Sequence, residues 1–334
     1  MLEATHYRKL GEQRVQCSLC PHLCTIENDG YGKCMTRVNK GGKLYAAGYG
    51  ILSSISSDPI EKKPLYHFYP GRPILSLGGF GCNLGCEFCQ NCSISQIDKS
   101  VFQRHPHRDP DDLVRKAGLI PHNIGLAYTY NEPIINYEYI YECAGLIKKA
   151  ALSNVMISNG FINEGPLNDL LPLMDAFNID LKSFRNSFYE QYTGSRIAPV
   201  LRNIERIARS DSHLEITFLL IPGLNDSKEE WKEMIAWIRD HCGKECILHV
   251  SRYFPHHKMN RPPTPIETIR EFLELAQDNL SYVYPGNTPL MESHTYCPSC
   301  GHLLVERTFY SSLVKGIDTD GHCRLCGHRI IGNF

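Results

Sequence analysis

Residues 78–91 read GGFGCNLGCEFCQN and directly follow the apolar run ILSL. This stretch places Cys82, Cys86 and Cys89, in C-x3-C-x2-C spacing, on a glycine-rich loop at the carboxyl end of a predicted strand. Iron–sulfur clusters are usually held by four thiolates, so three from one loop predict a [4Fe-4S] cluster with one iron open to another ligand. An open metal position is a reactive one. The alternative is a closed electron-transfer cluster with Cys92 as the fourth ligand.

Short apolar runs alternate with amphipathic stretches from Pro73 to Pro285, which is the pattern of βα units around a parallel sheet. Parallel strands joined by helices cross over right-handedly, so the chain forms either a doubly wound sheet or a whole or partial barrel. Functional sites of both folds lie at the carboxyl ends of the strands. The runs predict six or seven strands, at 74–77, 124–130, 154–158, 176–181, 214–221, 246–251 and 282–284.

Two of the intervening helices carry start signals. Ser227 and Glu230 form a capping-box pattern before apolar residues at three- and four-residue spacing. Thr264 and Glu267 repeat that pattern, with Pro265 expected at the first helical position. Both stretches are therefore predicted to be amphipathic helices.

The cysteine loop, with Phe88 just before the third cysteine and a strand before the first, resembles the signature of the radical S-adenosylmethionine (SAM) superfamily. The rival interpretation is three chance cysteines or part of a zinc site. The resemblance implies an α/β fold with a partial (β/α)6 barrel, in which the open iron binds the amino and carboxylate groups of SAM. Reductive cleavage of SAM would then yield a 5′-deoxyadenosyl radical that abstracts hydrogen from a substrate. The protein positions and shields these cofactors.

The resemblance also implies SAM contacts at later strand ends. Where the superfamily often has a GGE-like sequence this chain has TYNEP, so Asn131 and Glu132 are the candidates for the methionyl amino group. Asp180 and Lys182 match the DLK motif of glycyl-radical activating enzymes, which implies that Lys182 meets the SAM carboxylate. The alternative is a turn or a solvated charge. The candidate cofactor-binding residues are Phe88, Asn131, Glu132, Ser158, Asn159, Asp180 and Lys182.

Two later loops offer weaker candidates. The sequence IPGLND resembles the loop that approaches adenine in the superfamily, which makes Ile221–Asn225 a candidate for that pocket. The sequence SRYFPHHK offers groups for ribose or substrate, although exposed histidines are more often merely polar. These groups are Arg252, Tyr253, His256 and His257.

A four-cysteine cluster precedes the central region. Cys17, Cys20, Cys24 and Cys34 have x2, x3 and x9 spacing and fit a metal site. Thiolates suit zinc and iron–sulfur clusters equally, so ligand type does not decide the metal. Reduced thiols without a metal are the alternative.

A second four-cysteine cluster follows it. Cys297, Cys300, Cys323 and Cys326 form two C-x2-C-G knuckles separated by 22 residues. This spacing predicts a closed, tetrahedral four-thiolate site of the zinc-ribbon or rubredoxin kind, holding zinc or iron for structure or electron transfer. A tail of about 40 residues would depend on that metal for much of its folding free energy.

Composition excludes several classes of protein. The 334 residues carry 35 Lys+Arg against 36 Asp+Glu, a formal charge of -1, which disfavours nucleic acid as a partner. No apolar run approaches the roughly 18 residues needed to span a bilayer, and no secretory signal is evident, so a cytoplasmic protein without a membrane partner is expected. In a reduced compartment, clustered cysteines indicate metal ligands rather than disulfides.

The expected organisation has three modules. These are an irregular cysteine-rich N-terminal module at 1–70, the barrel at 71–290 and a zinc-ribbon or rubredoxin-like module at 291–334. Together with DPIEKKPLYHFYPG at 58–71, they resemble the radical SAM enzyme of the AmmeMemoRadiSam system, which is related to pyruvate formate-lyase activating enzymes. This resemblance implies a Memo-like protein and a small companion protein as partners, with a flavodoxin or ferredoxin as one-electron donor.

The predicted function is therefore that of a radical SAM enzyme with Cys82, Cys86 and Cys89 holding the catalytic cluster. Its substrate is either a protein glycine, as in activating enzymes, or a small molecule or companion protein, because kinship of fold cannot name a substrate. The rival from another class is a non-catalytic iron–sulfur electron carrier or zinc adaptor, which would not bind SAM.

Overall fold

The computed structural model describes residues 1–308 and 310–334. The N-terminal segment, expected to be irregular, forms two three-stranded antiparallel sheets. Its strands are two to five residues long, too short for an alternating pattern to be visible, and Gly41 and Gly42 make a two-residue hairpin turn with positive φ at both positions. The strands are β1 (Leu2–Glu3), β2 (Tyr7–Gly11), β3 (Arg14–Cys17), β4 (Thr25–Ile26), β5 (Arg37–Lys40) and β6 (Lys43–Ala46).

The central sheet has eight strands, of which seven are parallel and follow one another in chain order. A doubly wound sheet reverses its strand order at a switch point, and this sheet does not. Each predicted apolar run overlaps one of the parallel strands. They are β8 (Pro73–Gly78), β9 (Gly125–Thr129), β10 (Ser153–Ser158), β11 (Ala176–Asp180), β12 (His213–Leu220), β13 (Ile247–Arg252) and β14 (Tyr282–Gly286); β7 (Ser54–Pro59), from the N-terminal segment, pairs antiparallel with β8 at the edge.

Helices cover the sheet between successive parallel strands. The predicted cap is confirmed at Ser227, whose hydroxyl accepts a hydrogen bond from the Glu230 N–H. The one at Thr264 is wrong, because its hydroxyl instead donates to the carbonyl oxygen of Leu220, and the helix begins at Ile266. The helices are α1 (Cys92–Ser95), α2 (Val101–Arg104), α3 (Pro110–Leu119), α4 (Tyr137–Lys149), α5 (Glu164–Leu170), α6 (Asn186–Phe188), α7 (Ile197–Ala208), α8 (Lys228–Cys242) and α9 (Ile266–Gln277), with single turns at Ile60–Lys62, Pro133–Asn136, Leu171–Leu173 and Tyr189–Thr193. In the residues described, no helix has the length and apolar character needed to cross a bilayer.

A polar network occupies the interior near the amino ends of the strands. Glu215 of β12 is fully buried and accepts hydrogen bonds from the backbone N–H groups of Tyr66 and His67. The imidazoles of His213 and His249 contact the same carboxylate. A buried carboxylate with this many partners links the segment before β8 to the middle of the sheet.

The C-terminal residues pack beside β14. Leu304 and Val305 belong to a buried apolar cluster with Tyr282 and Tyr284, so the small sheet continues the core rather than standing apart. Arg307 reaches inward and donates to the backbone carbonyl oxygen of Tyr66 at 2.6 Å. The strands of this sheet are β15 (Thr295–Tyr296), β16 (Leu303–Thr308) and β17 (Ser311–Val314).

Candidate functional site

The glycine-rich loop after β8 is fastened to the end of β9 by one side chain. Asn131 accepts a hydrogen bond from the backbone N–H of Gly79 at 2.9 Å and donates to the carbonyl oxygen of Gly81 at 2.8 Å. Gly81 has a φ of 88°, a conformation that residues with a Cβ rarely adopt. The amide oxygen and nitrogen of Asn131 are thus both bonded to the backbone that leads into the cysteine loop.

A cavity of about 340 Å³ lies at the carboxyl ends of the strands, bordered by Cys82, Cys86 and Cys89. Burial raises the pKa of the Cys82 thiol well above its ordinary value, and the nearby Glu132 carboxylate acts in the same direction. A thiol in this position is expected to ionise when a metal centre binds its sulfur. The other lining residues include Phe88, Asn131, Glu132, Ser158, Asn159, Asp180 and Lys182, so every candidate from the cofactor prediction borders the same cavity.

The three sulfurs of this loop do not all lie within 4.8 Å of one another, a spacing that only the C-terminal cysteines reach among the described residues. Ligands of a single ion converge on one point, whereas a four-iron cluster has a separate iron for each thiolate. The spacing therefore fits a cluster better than a mononuclear site.

Glu132 is a buried carboxyl that joins two strand ends. It accepts hydrogen bonds from the Ser158 hydroxyl at 2.8 Å and from the backbone N–H of Asn159 at 2.7 Å. Burial raises the pKa of Glu132 to about 7, although these hydrogen bonds favour the charged form. The carboxyl is therefore close to its midpoint of ionisation at neutral pH, and a cation entering the cavity would ionise it further.

Asp180 and Lys182 form an ion pair at the end of β11. The Lys182 Nζ lies 3.1 Å from a carboxylate oxygen of Asp180 and 6.0 Å from the centroid of the Phe88 ring. Burial disfavours the charged lysine, but Asp180 and the Cys86 sulfur outweigh burial and raise its pKa. Asn225 donates to the carbonyl oxygen of Lys182 at 2.8 Å. The Lys182 side chain is thus charged and restrained by Asp180, and its backbone is restrained by Asn225.

The weaker candidates take other positions. Ile221–Asn225, Arg252, Tyr253, His256 and His257 are not among the residues that line this cavity in the described structure. Their contacts with adenine, ribose or substrate stay predictions. The Tyr253 ring is buried and its hydroxyl donates to the carbonyl oxygen of Met259. The His256 Nε2 atom instead lies 3.8 Å from the sulfur of Cys92, which also lies outside the residues lining the cavity.

A buried lysine in the cavity wall was not predicted from the sequence. Lys63 donates to Asp58 at 2.9 Å, and its Nζ lies 4.5 Å from the centroid of the Tyr130 ring, whose hydroxyl also bonds to Asp58. The only signal was its place in the conspicuous stretch EKKPLYHFYPG. Other unpredicted lining residues are Lys62, Pro64, Leu84, Gln90, Asn91, Ser95, Thr129, Ile157, Thr217, Leu219, Ser251 and Asn287.

A larger cavity of about 590 Å³ adjoins the first. Gln90 and Asn287 line both cavities. Its walls come from the segments after β13 and β14 and from the C-terminal sheet, and they include Phe254, Leu290 and Tyr310. The two cavities thus offer adjacent space for two molecules.

The flanking cysteines gather into two different kinds of site. Cys17, Cys20, Cys24 and Cys34 line one small cavity together, but no three of their sulfurs lie within 4.8 Å of one another in the described structure. The four sulfurs are therefore spaced more widely than the ligands of a single metal ion. Burial also raises the pKa of the Cys17 thiol to about 11.

The C-terminal cysteines are closer together. All four sulfurs lie within 4.8 Å of one another, with 3.6 Å from Cys297 to Cys326 and 3.7 Å from Cys300 to Cys323. Thiolates arranged tetrahedrally about 2.3 Å from zinc stand about 3.8 Å apart. These residues fit a single tetrahedral ion.

The sequence is similar to one family model and to several known proteins. The model of the radical SAM superfamily matches residues 77–238, from the end of β8 into α8. The chain is 40% identical over 337 residues to the uncharacterized protein MJ0808 of Methanocaldococcus jannaschii, which covers 99% of each chain. It is 20% identical over 190 residues to pyruvate formate-lyase 1-activating enzyme of Escherichia coli, which covers 54% of this chain and 73% of that enzyme.

Solved structures share the fold. Streptococcus suis SuiB bound to S-adenosylmethionine superimposes with a TM-score of 0.52 and 13% identity, over 68% of this chain and 53% of SuiB. At this identity the likeness concerns the fold alone. The superfamily match at 77–238 excludes both flanking cysteine groups, whose metals must be argued from their own geometry.

Proposed function

We propose that this chain, whose residues 77–238 match the model of the radical SAM superfamily, cleaves SAM reductively at a [4Fe-4S] cluster and abstracts hydrogen from a substrate bound beside it. The observation that carries this proposal is one cavity bordered by all three cysteines of the loop and by Glu132 and Lys182. When bound, the cluster and SAM supply the electron transfer and the 5′-deoxyadenosyl radical. The sequential strand order, with β7 and β14 at its edges, supports a partial (β/α)6 barrel.

The cysteines have separate roles in this proposal. Cys82, Cys86 and Cys89 hold three irons and leave the fourth open to SAM. The position of Cys92 supports the open site, because its sulfur contacts His256 and it lies outside the residues that line the cavity. In a closed cluster, Cys92 would have to leave that contact.

The charged groups match the two ends of the amino acid part of SAM. Glu132 would accept from the ammonium group, and Lys182 would bind the carboxylate. The hydrogen bonds from Ser158 and Asn159 orient Glu132, and the ion pair with Asp180 restrains Lys182. The Phe88 ring lies beside Lys182, with its centroid 6.0 Å from the Nζ atom.

The adjoining cavity is the proposed substrate site. It has room for part of a protein loop or for a small molecule, and Gln90 and Asn287 connect it to the SAM cavity. The likeness to pyruvate formate-lyase 1-activating enzyme supports a protein glycine as one substrate class. The resemblance to the radical SAM enzyme of the AmmeMemoRadiSam system supports a small molecule or the companion protein as the other class, with a Memo-like protein as a partner.

Radical SAM enzymes generally need a one-electron donor. We propose a flavodoxin or ferredoxin for this chain, working in a reducing cytoplasm where its fifteen cysteines stay free of disulfides. The C-terminal four-cysteine group would hold zinc or iron as a structural centre, because all its positions are filled by thiolates.

The experiment uses anaerobically reconstituted full-length protein. We expect an EPR signal of the reduced [4Fe-4S] cluster that changes on adding SAM, and formation of 5′-deoxyadenosine with dithionite as reductant. Replacing Cys86 by Ala should abolish both. If that variant still cleaves SAM, the proposed function is wrong.

A matched control separates the open cluster from a closed one. Replacing Cys92 by Ala removes a neighbouring thiol outside the lining of the cavity, and it should leave the iron content and the SAM-dependent EPR change intact. A cluster that needs Cys92 and ignores SAM would instead identify a non-catalytic electron carrier. Adding each candidate substrate to the 5′-deoxyadenosine assay then separates the two substrate classes.

A further inference from the structure

The N-terminal cysteines surround a buried positive charge with unused hydrogen-bond donors. Arg37 lines the same small cavity as the four sulfurs and is 1% exposed. Its Nη1 pairs with Glu138 at 2.7 Å, but its Nε and Nη2 have no hydrogen-bond partner. Leaving donors of a buried charged group unpaired destabilises the folded chain, so an anionic acceptor is expected beside them.

A thiolate-bound metal centre supplies such an acceptor. Four thiolates around zinc, or around an iron–sulfur cluster, carry a net negative charge, and sulfur accepts hydrogen bonds from N–H groups. The distances between the sulfurs distinguish a zinc ion from an iron–sulfur cluster. The four sulfurs at Cys297 to Cys326 converge as a single ion requires, whereas those of the N-terminal group are spread more widely within the same described structure. The wider set fits a multinuclear cluster.

Two contacts join this group to the catalytic loop. The His22 Nε2, between Cys20 and Cys24 in sequence, donates to the backbone carbonyl oxygen of Asn83 at 2.7 Å. Asn83 directly follows Cys82, so this hydrogen bond leads into the chain beside the first catalytic cysteine.

The second contact is between backbones. A Cβ built on Gly81 would lie 2.4 Å from the carbonyl oxygen of Cys34, so only glycine permits the two loops to approach this closely. Asn163, just before α5, also donates to the carbonyl oxygen of Ser18 at 2.7 Å. The N-terminal cysteine loop therefore contacts the catalytic loop at His22 and Cys34, and its Ser18 contacts the segment before α5.

We propose that Cys17, Cys20, Cys24 and Cys34 hold a second iron–sulfur cluster, which relays electrons to the catalytic cluster through the contacts at His22 and Cys34. The relay rests on the proposed radical SAM function, whereas the metal site does not. In one step, one electron leaves the external flavodoxin or ferredoxin, which is oxidised, and the N-terminal cluster is reduced. In the next step that electron passes to the catalytic cluster, with no bond made or broken.

Metal content tests the site. Wild type, reconstituted with iron and sulfide, should hold about eight irons in its two four-iron clusters. Replacing Cys20 and Cys24 by Ser should remove about four irons and leave a SAM-responsive EPR signal. Replacing Cys86 by Ser should remove the SAM-responsive signal and leave the other. Replacing Cys297 and Cys300 by Ser is the control for general loss of metal.

The outcomes separate the two proposals. Zinc in the N-terminal site, or an iron content that the Cys20 and Cys24 replacements do not change, would overturn the second cluster while the catalytic one stands. A single SAM-indifferent signal that survives the Cys86 replacement would overturn the proposed function while the N-terminal cluster stands.

Two measurements test the relay. The ratio of SAM cleavage driven by reduced flavodoxin to that driven by dithionite should fall at least about tenfold in the Cys20 and Cys24 variant, and an unchanged ratio would contradict the relay. If that variant misfolds, Arg37→Lys provides the second test. It retains a positive charge but removes donors near the sulfurs, so the midpoint potential of the N-terminal cluster should fall at constant iron content. An unchanged potential would show that Arg37 does not face a cluster.

Discussion

The Oε2 atom of Glu132 accepts a 2.7 Å hydrogen bond from the backbone N–H of Asn159. This bond joins the end of β9 to the end of β10, beside the loop that carries Cys82, Cys86 and Cys89. Because burial raises the pKa of this carboxyl to about 7, it is partly protonated at neutral pH. Small changes of charge in the cavity therefore alter its protonation.

SAM affinity should therefore depend on pH through Glu132. Its raised pKa means that the carboxyl is largely protonated below pH 7 and charged above, and only the charged form attracts an ammonium group. From pH 6 to 8 the charged fraction rises about tenfold, and the affinity should rise with it. We expect Glu132→Gln to bind SAM more weakly and to lose this component. The measurement is anaerobic titration calorimetry.

Ser158→Ala is the control for that experiment. It removes one hydrogen bond that favours the charged carboxylate, so the pKa of Glu132 should rise and the pH dependence should move to higher pH. Titrating groups of SAM contribute equally to all the proteins compared. Identical pH profiles for wild type and Glu132→Gln would rule out the assigned role.

Lys182 should contribute a charge-dependent part of SAM binding. Lys182→Met preserves much of the side-chain volume, removes the charge, and should weaken binding by about 10- to 100-fold, the effect of losing a hydrogen bond to a charged group. Lys182→Arg should retain part of the affinity. A methionine variant with wild-type affinity would show that this lysine only restrains Asp180.

Glu215 should contribute strongly to stability. Replacing this fully buried carboxylate by Gln introduces an amide donor among N–H donors, and we expect the free energy of unfolding to fall by about 3–5 kcal/mol. The exposed Glu274→Gln variant should change it by less than about 0.5 kcal/mol. Anaerobic urea unfolding measures both. Equal stabilities would mean that the network is not a source of stability.

The stability that Glu215 contributes should be lost at acid pH. Burial alone would raise the pKa of Glu215, but hydrogen bonds from His213 and His249 hold it well below its ordinary value. A depressed carboxyl pKa stabilises the fold above the unfolded pKa of about 4.3, and this contribution is lost as pH falls further. Wild type should therefore lose its advantage over Glu215→Gln below about pH 4. A constant difference down to pH 2 would be the contrary result.

Removal of the C-terminal metal should loosen the end of the chain. Arg307 lies on β16, between the two cysteine knuckles, and donates to the Thr295 hydroxyl as well as to Tyr66. Replacing Cys297 and Cys300 by Ser should lower the free energy of unfolding by about 4 kcal/mol or more and speed proteolysis after β14. Unchanged proteolysis would mean that packing alone holds this sheet.

The parallel strands could be predicted because they depend on local apolar runs. The candidate residues that line the cavity beside the cysteine loop could be predicted because they match the motifs that carry the radical SAM resemblance. Each apolar run overlaps a strand, and residues at the carboxyl ends of neighbouring parallel strands meet at one edge of the sheet. The short N-terminal strands could not be predicted, because two to five residues show no clear period.

Contacts between distant segments also could not be predicted from the sequence. The hydrogen bond from His22 to Asn83 spans 61 residues and that from Tyr66 to Glu215 spans 149. Neither pair has a spacing that a local pattern detects. Lys63 was missed for a similar reason, since its position in the cavity wall depends on β7 pairing with β8.

His67 and Asn333 are joined by a 2.8 Å hydrogen bond between their backbones, and His67 also contacts the carbonyl oxygen of Ile331. The ribosome makes His67 long before Asn333. While the chain is being synthesised, the parallel strands can already pair and the catalytic loop can form, but the polar interior around His67 remains open to water. Its closure therefore follows the synthesis of residues 331–333, which supply these contacts.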